Sequence, residues 1–184
     1  MVKGVKTMPK RLFEHLRDTP WEPSFRLVTT LAEASTLINR PHEDYPYRVE
    51  ATTVCIEWLL SRWSKEMHVG QVNISVLRKI HATVFSGSTF AGLYRNETNP
   101  PTNVVVSEHT APHHSLINFL LTELELFLRL HPIKSIEDLR NWYWDFETIH
   151  PFRDGNGRVG GIIVAAYSHQ LPGDHNGKYL AVEQ

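Results

Sequence analysis

Apolar positions recur with a helical period over most of this chain. Matching runs fall at about 26–39, 47–66, 74–85, 114–131, 136–149 and 158–171, separated by Pro, Gly and Asn signals. The run at 136–149 carries Leu139, Trp142, Phe146 and Ile149 on one face, and Ser135 with Asp138 forms an N-terminal capping pattern. The run at 158–171 carries Val159, Ile162, Ile163, Ala166 and Tyr167 and stops at Pro172-Gly173. The exception lies at about 90–113, where Asn99-Pro100-Pro101-Thr102 and Val104-Val105-Val106 break the period. Three consecutive valines favour an extended strand, and so short a strand in a helical chain predicts a flap or hairpin. Residues 1–25 read as a loosely held arm punctuated by Pro20 and Pro23. The pattern therefore predicts an all-α bundle with a short β-hairpin, the arm at 1–25 preceding one domain at 26–184.

Composition narrows the setting. With 184 residues, 41% hydrophobic and 21% charged, the chain can bury one sizeable core as one domain. A net charge of -1 gives no electrostatic case for nucleic-acid or membrane partners. No apolar run is long enough to span a bilayer, and the basic start MVKGVKTMPKR lacks the apolar core of a signal peptide. A cytoplasmic protein is expected, although delivery as a secreted effector by a dedicated system would leave no mark of this kind. Cys55 lies in an apolar helical run and reads as a small buried hydrophobe rather than a nucleophile. His109, His113 and His114 have no paired cysteines or repeated ligand spacing, which argues against structural zinc. Trp142, Tyr143, Trp144 and Phe146 read as a core stripe rather than a base-stacking platform.

Chemistry concentrates in His150-Pro151-Phe152-Arg153-Asp154-Gly155-Asn156-Gly157-Arg158, between the last two helical runs. Alone, Asp-Gly and Asn-Gly suggest a hairpin turn; a loop between two helices, however, has no strands to join. The small residues from Asp154 to Gly157 tolerate φ > 0, so consecutive amides can converge on one anion. The loop opens onto a helix N-terminus, where free amides and the positive dipole end favour phosphate. An imidazole, with an unperturbed pKa of about 6.5, can exchange a proton at neutral pH, which makes His150 the candidate base. Asp154 is a hard oxygen ligand of the type Mg²⁺ prefers, and Arg158 offers a guanidinium fork for phosphate oxygens. This set suits transfer chemistry on a nucleotide.

The run HPFRDGNGRVGG resembles the signature of the Fic family, His-x-Phe-x-Asp/Glu-Gly-Asn-Gly-Arg-x-x-Arg. Every specified position agrees except the last, where Gly161 replaces arginine. Upstream, Gly92-Leu93-Tyr94-Arg95 resembles the family's Gly-x-Tyr/Phe-Arg, and the likeness covers most of residues 26–171, with the domain core at about 47–171. The resemblance implies a Fic-type helical bundle with a short β-hairpin flap. It also implies a protein adenylyltransferase: His150 as general base on a Ser, Thr or Tyr hydroxyl of a target protein, ATP as donor, and Mg²⁺ held by Asp154. Arg153, Gly155, Asn156, Gly157 and Arg158 would bind the nucleotide phosphates, and Phe152 would pack beneath the loop. Val104, Val105 and Val106 would form the flap that holds an extended stretch of target by strand addition, against the alternative of an ordinary surface hairpin. Tyr167 and Tyr179 could line a base or sugar pocket or simply be packed. Other readings are a different donor giving phosphocholine or UMP transfer, a weak nucleotide-binding module, or a toxin silenced by a separate antitoxin protein. The intact His150 argues against a simple pseudoenzyme.

Gly161 matters because the resemblance gives the final arginine two partners, the γ-phosphate and an inhibitory glutamate in a Ser/Thr-x-x-x-Glu-Gly/Asn motif. Ser35-Thr36-Leu37-Ile38-Asn39-Arg40, in the run at 26–39, resembles that inhibitory helix in register. Asn39 stands at the glutamate position. Both halves of the ion pair are then absent together, as expected when a buried charge without its partner costs about 3–5 kcal/mol.

Overall fold

Each helical run supplies a helix in the computed structural model, which describes residues 11–41, 45–66 and 72–184. The helices are α1 (Leu31–Ile38), α2 (Tyr45–Glu66), α3 (Ile74–Val84), α4 (Ile117–Leu130), α5 (Ile136–Ile149) and α6 (Asn156–Gln170). Strands β1 (Phe25–Val28), β2 (Val105–Val106), β3 (His109–Thr110) and β4 (Tyr179–Val182) form two antiparallel pairs, β1 with β4 and β2 with β3. The fold is thus mainly helical with small two-stranded sheets. Among the described residues no helix is long and apolar enough to cross a membrane.

Local chemistry sets the helix starts. Thr30 and Glu33 close a capping box ahead of α1, Asn73 accepts from the Val76 amide at 3.0 Å ahead of α3, and Ser135 accepts from the Asp138 amide at 3.1 Å ahead of α5. α6 is the hub. Its residues from Val159 to Ser168 are all buried, which is the signature of a helix enclosed on every side. α1, α2, α5 and β4 surround it. Gly160 permits the approach of α5, since a Cβ there would lie 2.8 Å from the Tyr143 ring. On the α2 side, Trp63 packs on Tyr167 with ring centroids 4.6 Å apart.

The run expected as one helix at 26–39 divides: residues 25–28 are strand β1, and α1 begins at Leu31. The pairing Phe25 with Val182 through Val28 with Tyr179 overrides the local period, because it satisfies a row of backbone groups that a frayed helical turn would leave open. Residues 114–116 form a 3-10 turn ahead of α4, and α6 starts at Asn156 rather than 158.

The arm also differs from the loose segment expected. Residues 1–10 lie outside the described residues, but residues 11–24 are docked on α5. The buried Asp145 carboxylate accepts from the amides of Leu12 at 3.0 Å and Phe13 at 2.8 Å, Phe13 is buried, and the Trp144 indole donates to the Trp21 carbonyl at 2.8 Å. The Arg17 guanidinium lies 4.3 Å from the Trp21 ring. Burial lifts the Asp145 carboxyl to about 6 against the opposing pull of those two amides. Replacing Asp145 with Ala leaves both amides without their acceptor, at a cost of about 1–3 kcal/mol. Chemical denaturation of Asp145→Ala is expected to show that loss, with limited proteolysis cutting within residues 11–24; an arm that stays as protected as in wild type would refute this anchor.

Candidate active site

α5 ends where His150 adopts a left-handed conformation, φ 50° and ψ 61°, while its amide still donates to the Phe146 carbonyl at 3.0 Å. A non-glycine residue rarely sits there without support. Arg95 provides it from beneath. Its guanidinium is fully buried and donates to the carbonyls of His150 at 2.8 Å, Ile149 at 3.3 Å, Thr102 at 3.1 Å and Pro112. Burial lowers its pKa to about 10, so it stays charged at neutral pH. The Arg95 amide donates to the Pro151 carbonyl at 2.9 Å, and Tyr94 bridges Phe152.

The loop is closed from within. Asn156, 1% exposed, accepts from the Phe152 amide at 2.8 Å and donates to the Phe152 carbonyl at 2.9 Å, so its side chain shapes the loop and leaves its backbone amide for a ligand. Phe152 is buried and stacks on His81 with centroids 4.0 Å apart. Gly155 has φ 81°, and a Cβ there would fall 2.2 Å from the Phe85 ring, so only glycine fits. α6 begins immediately afterwards, with first-turn amides that have no intrahelical acceptor.

His81 ties this loop to α3. Its Nδ1 accepts from the Gly92 amide at 2.9 Å, which requires the proton on Nε2, and Nε2 then donates to the Asp154 carbonyl at 3.1 Å. Burial holds its pKa down at about 4, because protonation would set Nδ1–H against another N–H.

Above the loop is a cavity of about 370 Å³ lined by Asn39, Arg40, Arg48, Val106, Glu147, His150, Asp154–Arg158 and Gln184. Three arginines and the head of α6 face two carboxylates across it, a balance that favours an anionic ligand. Arg158 lies 3.5 Å from the Asp154 carboxylate and 4.6 Å from the Phe85 ring. Asp154 is 57% exposed at the side chain. Among the described residues no group of three or more His, Cys, Asp or Glu side chains could hold a metal ion, so a cation here would draw most of its ligands from a bound phosphate and water.

His150, Asp154, Gly155, Asn156, Gly157 and Arg158 therefore share one cavity, and Asn39 joins them. Arg153 does not. It is exposed and its guanidinium lies 5.9 Å from the Phe90 ring. In the hairpin only Val106 lines the cavity; Val104 is half-buried and Val105 is 65% exposed. Tyr167 and Tyr179 are packed in the core, as is Cys55, whose thiol burial pushes to about 11. His109 is likewise buried, its Nε2 3.0 Å from the Thr148 carbonyl, so it pins the hairpin to the end of α5. Sequence reasoning missed Arg40, Arg48, Glu147 and Gln184. Glu147 alone carried a usable signal, being one helical turn before His150.

Residues 71–168 match the Fic/DOC family. The chain belongs to this family. Two solved structures share its fold. One is a Fic domain containing signaling protein from Bacteroides thetaiotaomicron VPI-5482, with TM-score 0.56 and 21% identity over 72% of this chain and 50% of that one. The other is a Fic family protein from Desulfovibrio desulfuricans G20, with TM-score 0.55 and 22% identity over 75% of this chain and 42% of that one. The Fic chain described here thus spans half or less of either protein. No curated protein matches it. Fic domains are generally protein nucleotidyltransferases that use ATP and Mg²⁺.

Position 161 faces Ile38, the residue before Asn39, and not Asn39 itself. A Cβ on Gly161 would lie 3.1 Å from Ile38 Cγ2, so Ile38 fills the volume a longer side chain would need. Asn39 instead donates to the Ser35 carbonyl at 2.7 Å and to the Thr52 hydroxyl at 3.0 Å, with its Oδ1 buried and without a hydrogen bond.

The His81 linkage is testable. Its pKa is lower folded than unfolded, so the unfolded chain binds more protons between pH about 6.5 and 4; stability is held above this window and lost as pH falls through it. Asp145 titrates in the same window with the opposite sign, so the effect is read as a difference between proteins. His81→Gln keeps one donor and one acceptor but cannot titrate. Denaturant titrations at pH 7 and 4 should show wild type losing about 3 kcal/mol more than His81→Gln. Parallel losses would show that this imidazole does not take up its proton on unfolding.

Proposed function

We propose that this chain is a protein adenylyltransferase that moves AMP from ATP to a hydroxyl side chain of a target protein. One observation carries the reading: a half-buried imidazole, 12% exposed at its side chain, lines the same cavity as the open amide head of α6. His150 takes the proton of a Ser, Thr or Tyr hydroxyl, whose oxygen attacks the α-phosphorus; the bond to the bridging oxygen breaks and pyrophosphate leaves. Negative charge growing on the phosphoryl oxygens is met by the amides of Gly155, Asn156 and Gly157 and by Arg158, with Arg40 and Arg48 adding positive potential. Asp154 is the hard oxygen ligand that would hold Mg²⁺, which when bound neutralises charge between the α- and β-phosphates. Target positioning falls to the hairpin. Among the described residues strand β2 pairs with β3 alone, so its other edge is available to an extended stretch of target, and a separate antitoxin protein could occupy the same edge.

Position 161 favours a second reading. With Ile38 in place of an arginine side chain, nothing here reaches a γ-phosphate from that position, which suits a donor with a different leaving group, as in UMP or phosphocholine transfer.

Wild type and His150→Ala, incubated with α-labelled nucleotides, Mg²⁺ and cell lysate, should place label on protein for wild type only. Label from no nucleotide, or equal label from both, would leave a nucleotide-binding module. The donor question has its own test. Gly161→Arg combined with Ile38→Ala makes room for the guanidinium and should tighten ATP binding about tenfold by calorimetry, the equivalent of one charge-assisted contact. Unchanged affinity would remove position 161 from the account of donor choice.

A further inference from the structure

We propose that Glu147 is a positioning residue for His150, fixing the ring proton on Nδ1 and leaving Nε2 as the base. The kinetic part of this inference rests on the transferase reading above; the tautomer does not. Glu147 and His150 lie one turn apart at the end of α5, with Glu147 Oε2 3.5 Å from His150 Nδ1 and side-chain exposures of 10% and 12%. One atom of each head lacks a hydrogen bond: His150 Nδ1 and Glu147 Oε1 are both buried without one, while Oε2 is the oxygen that faces the ring. Two buried polar atoms left this way would cost several kcal/mol, unless they serve each other or a ligand.

A neutral imidazole carries its proton on one nitrogen, and an ionised carboxylate only accepts. A bare Nδ1 facing Glu147 would set two acceptors against each other. With the proton on Nδ1 a small rotation of either side chain closes the 3.5 Å approach to a hydrogen bond. Nε2 then keeps its lone pair for the cavity that both residues line. An acid that orients an imidazole, which in turn deprotonates a hydroxyl, is the arrangement that keeps the base in the productive tautomer in hydrolytic triads.

Glu147 has other charged and polar neighbours. It also lines a second cavity of about 270 Å³, together with Arg17, Arg40 and Tyr143. Arg17 interacts with it electrostatically, and its own NH1 donates to the Thr148 hydroxyl at 3.3 Å. A carboxylate serving only to hold Arg17 and the arm would be structural, and its loss would leave the imidazole tautomer unchanged.

The test reads the ring nitrogens of His150 directly. Long-range ¹H–¹⁵N spectra of wild type, assigned by comparison with His150→Ala and recorded where the ring is neutral, should show the proton on Nδ1. Glu147→Met keeps the volume and removes the acceptor, and should lose that preference; Glu147→Gln, whose amide oxygen still accepts, should restore it in part. In labelled transfer, Glu147→Met should lower kcat roughly 100-fold with the donor KM within about twofold. A wild-type ring protonated on Nε2, or a Glu147→Met spectrum identical to wild type, would overturn the assignment. A wild type that transfers no label ends the transferase reading, while the spectra still decide the role of Glu147.

Discussion

The architecture of the site depends on one buried cation. Arg95 is enclosed, and among the described residues its guanidinium donates to four backbone carbonyls and to no carboxylate. Two belong to Ile149 and His150, the last carbonyls of α5; the others belong to Thr102 and Pro112, the roots of the hairpin. Burying a guanidinium costs several kcal/mol, and only charge-assisted bonds of good geometry offset it. The cation therefore stays where it is, and so do the segments it holds. The left-handed turn that carries His150 and the hairpin that borders the cavity are set by the same group. His109 adds a second tie between hairpin and α5 through the Thr148 carbonyl.

Glycines settle what may approach that site. Gly155 admits Phe85 under the loop, Gly160 admits the Tyr143 ring of α5, and Gly161 admits Ile38 of α1. At Gly157 a Cβ would collide with the Gln184 side chain 2.3 Å away. Each absence of a side chain brings a neighbour into contact with the head of α6. At 161 the result is apolar packing against Ile38.

What could be read from the chain was what its local chemistry dictates. α5 follows from Ser135 and the period of Leu139, Trp142, Phe146 and Ile149; the loop follows from small residues between two helices. Strand β1 could not be read, because Arg26, Leu27 and Val28 take their conformation from residues more than 150 positions later. The capping box at Thr30 and Glu33 marks the start of α1, a signal that the single apolar period read across 26–39 passed over. Docking of the arm turns in part on the buried carboxylate of Asp145, which in the sequence is one acidic residue in a helix. Arg95 belonged to a recognised motif, yet its enclosure by carbonyls has no sequence signature, since arginine is almost always found at the surface.

All of this meets at one physical claim, that the first amides of α6 form a preformed cradle for phosphate beside the imidazole. Backbone amide spectra during titration with ATP and Mg²⁺ test it most directly. The largest shifts should fall on Gly155, Asn156 and Gly157, with a smaller response at His150. ATP binding that leaves those three amides unmoved, or no response to ATP at all, would contradict the account.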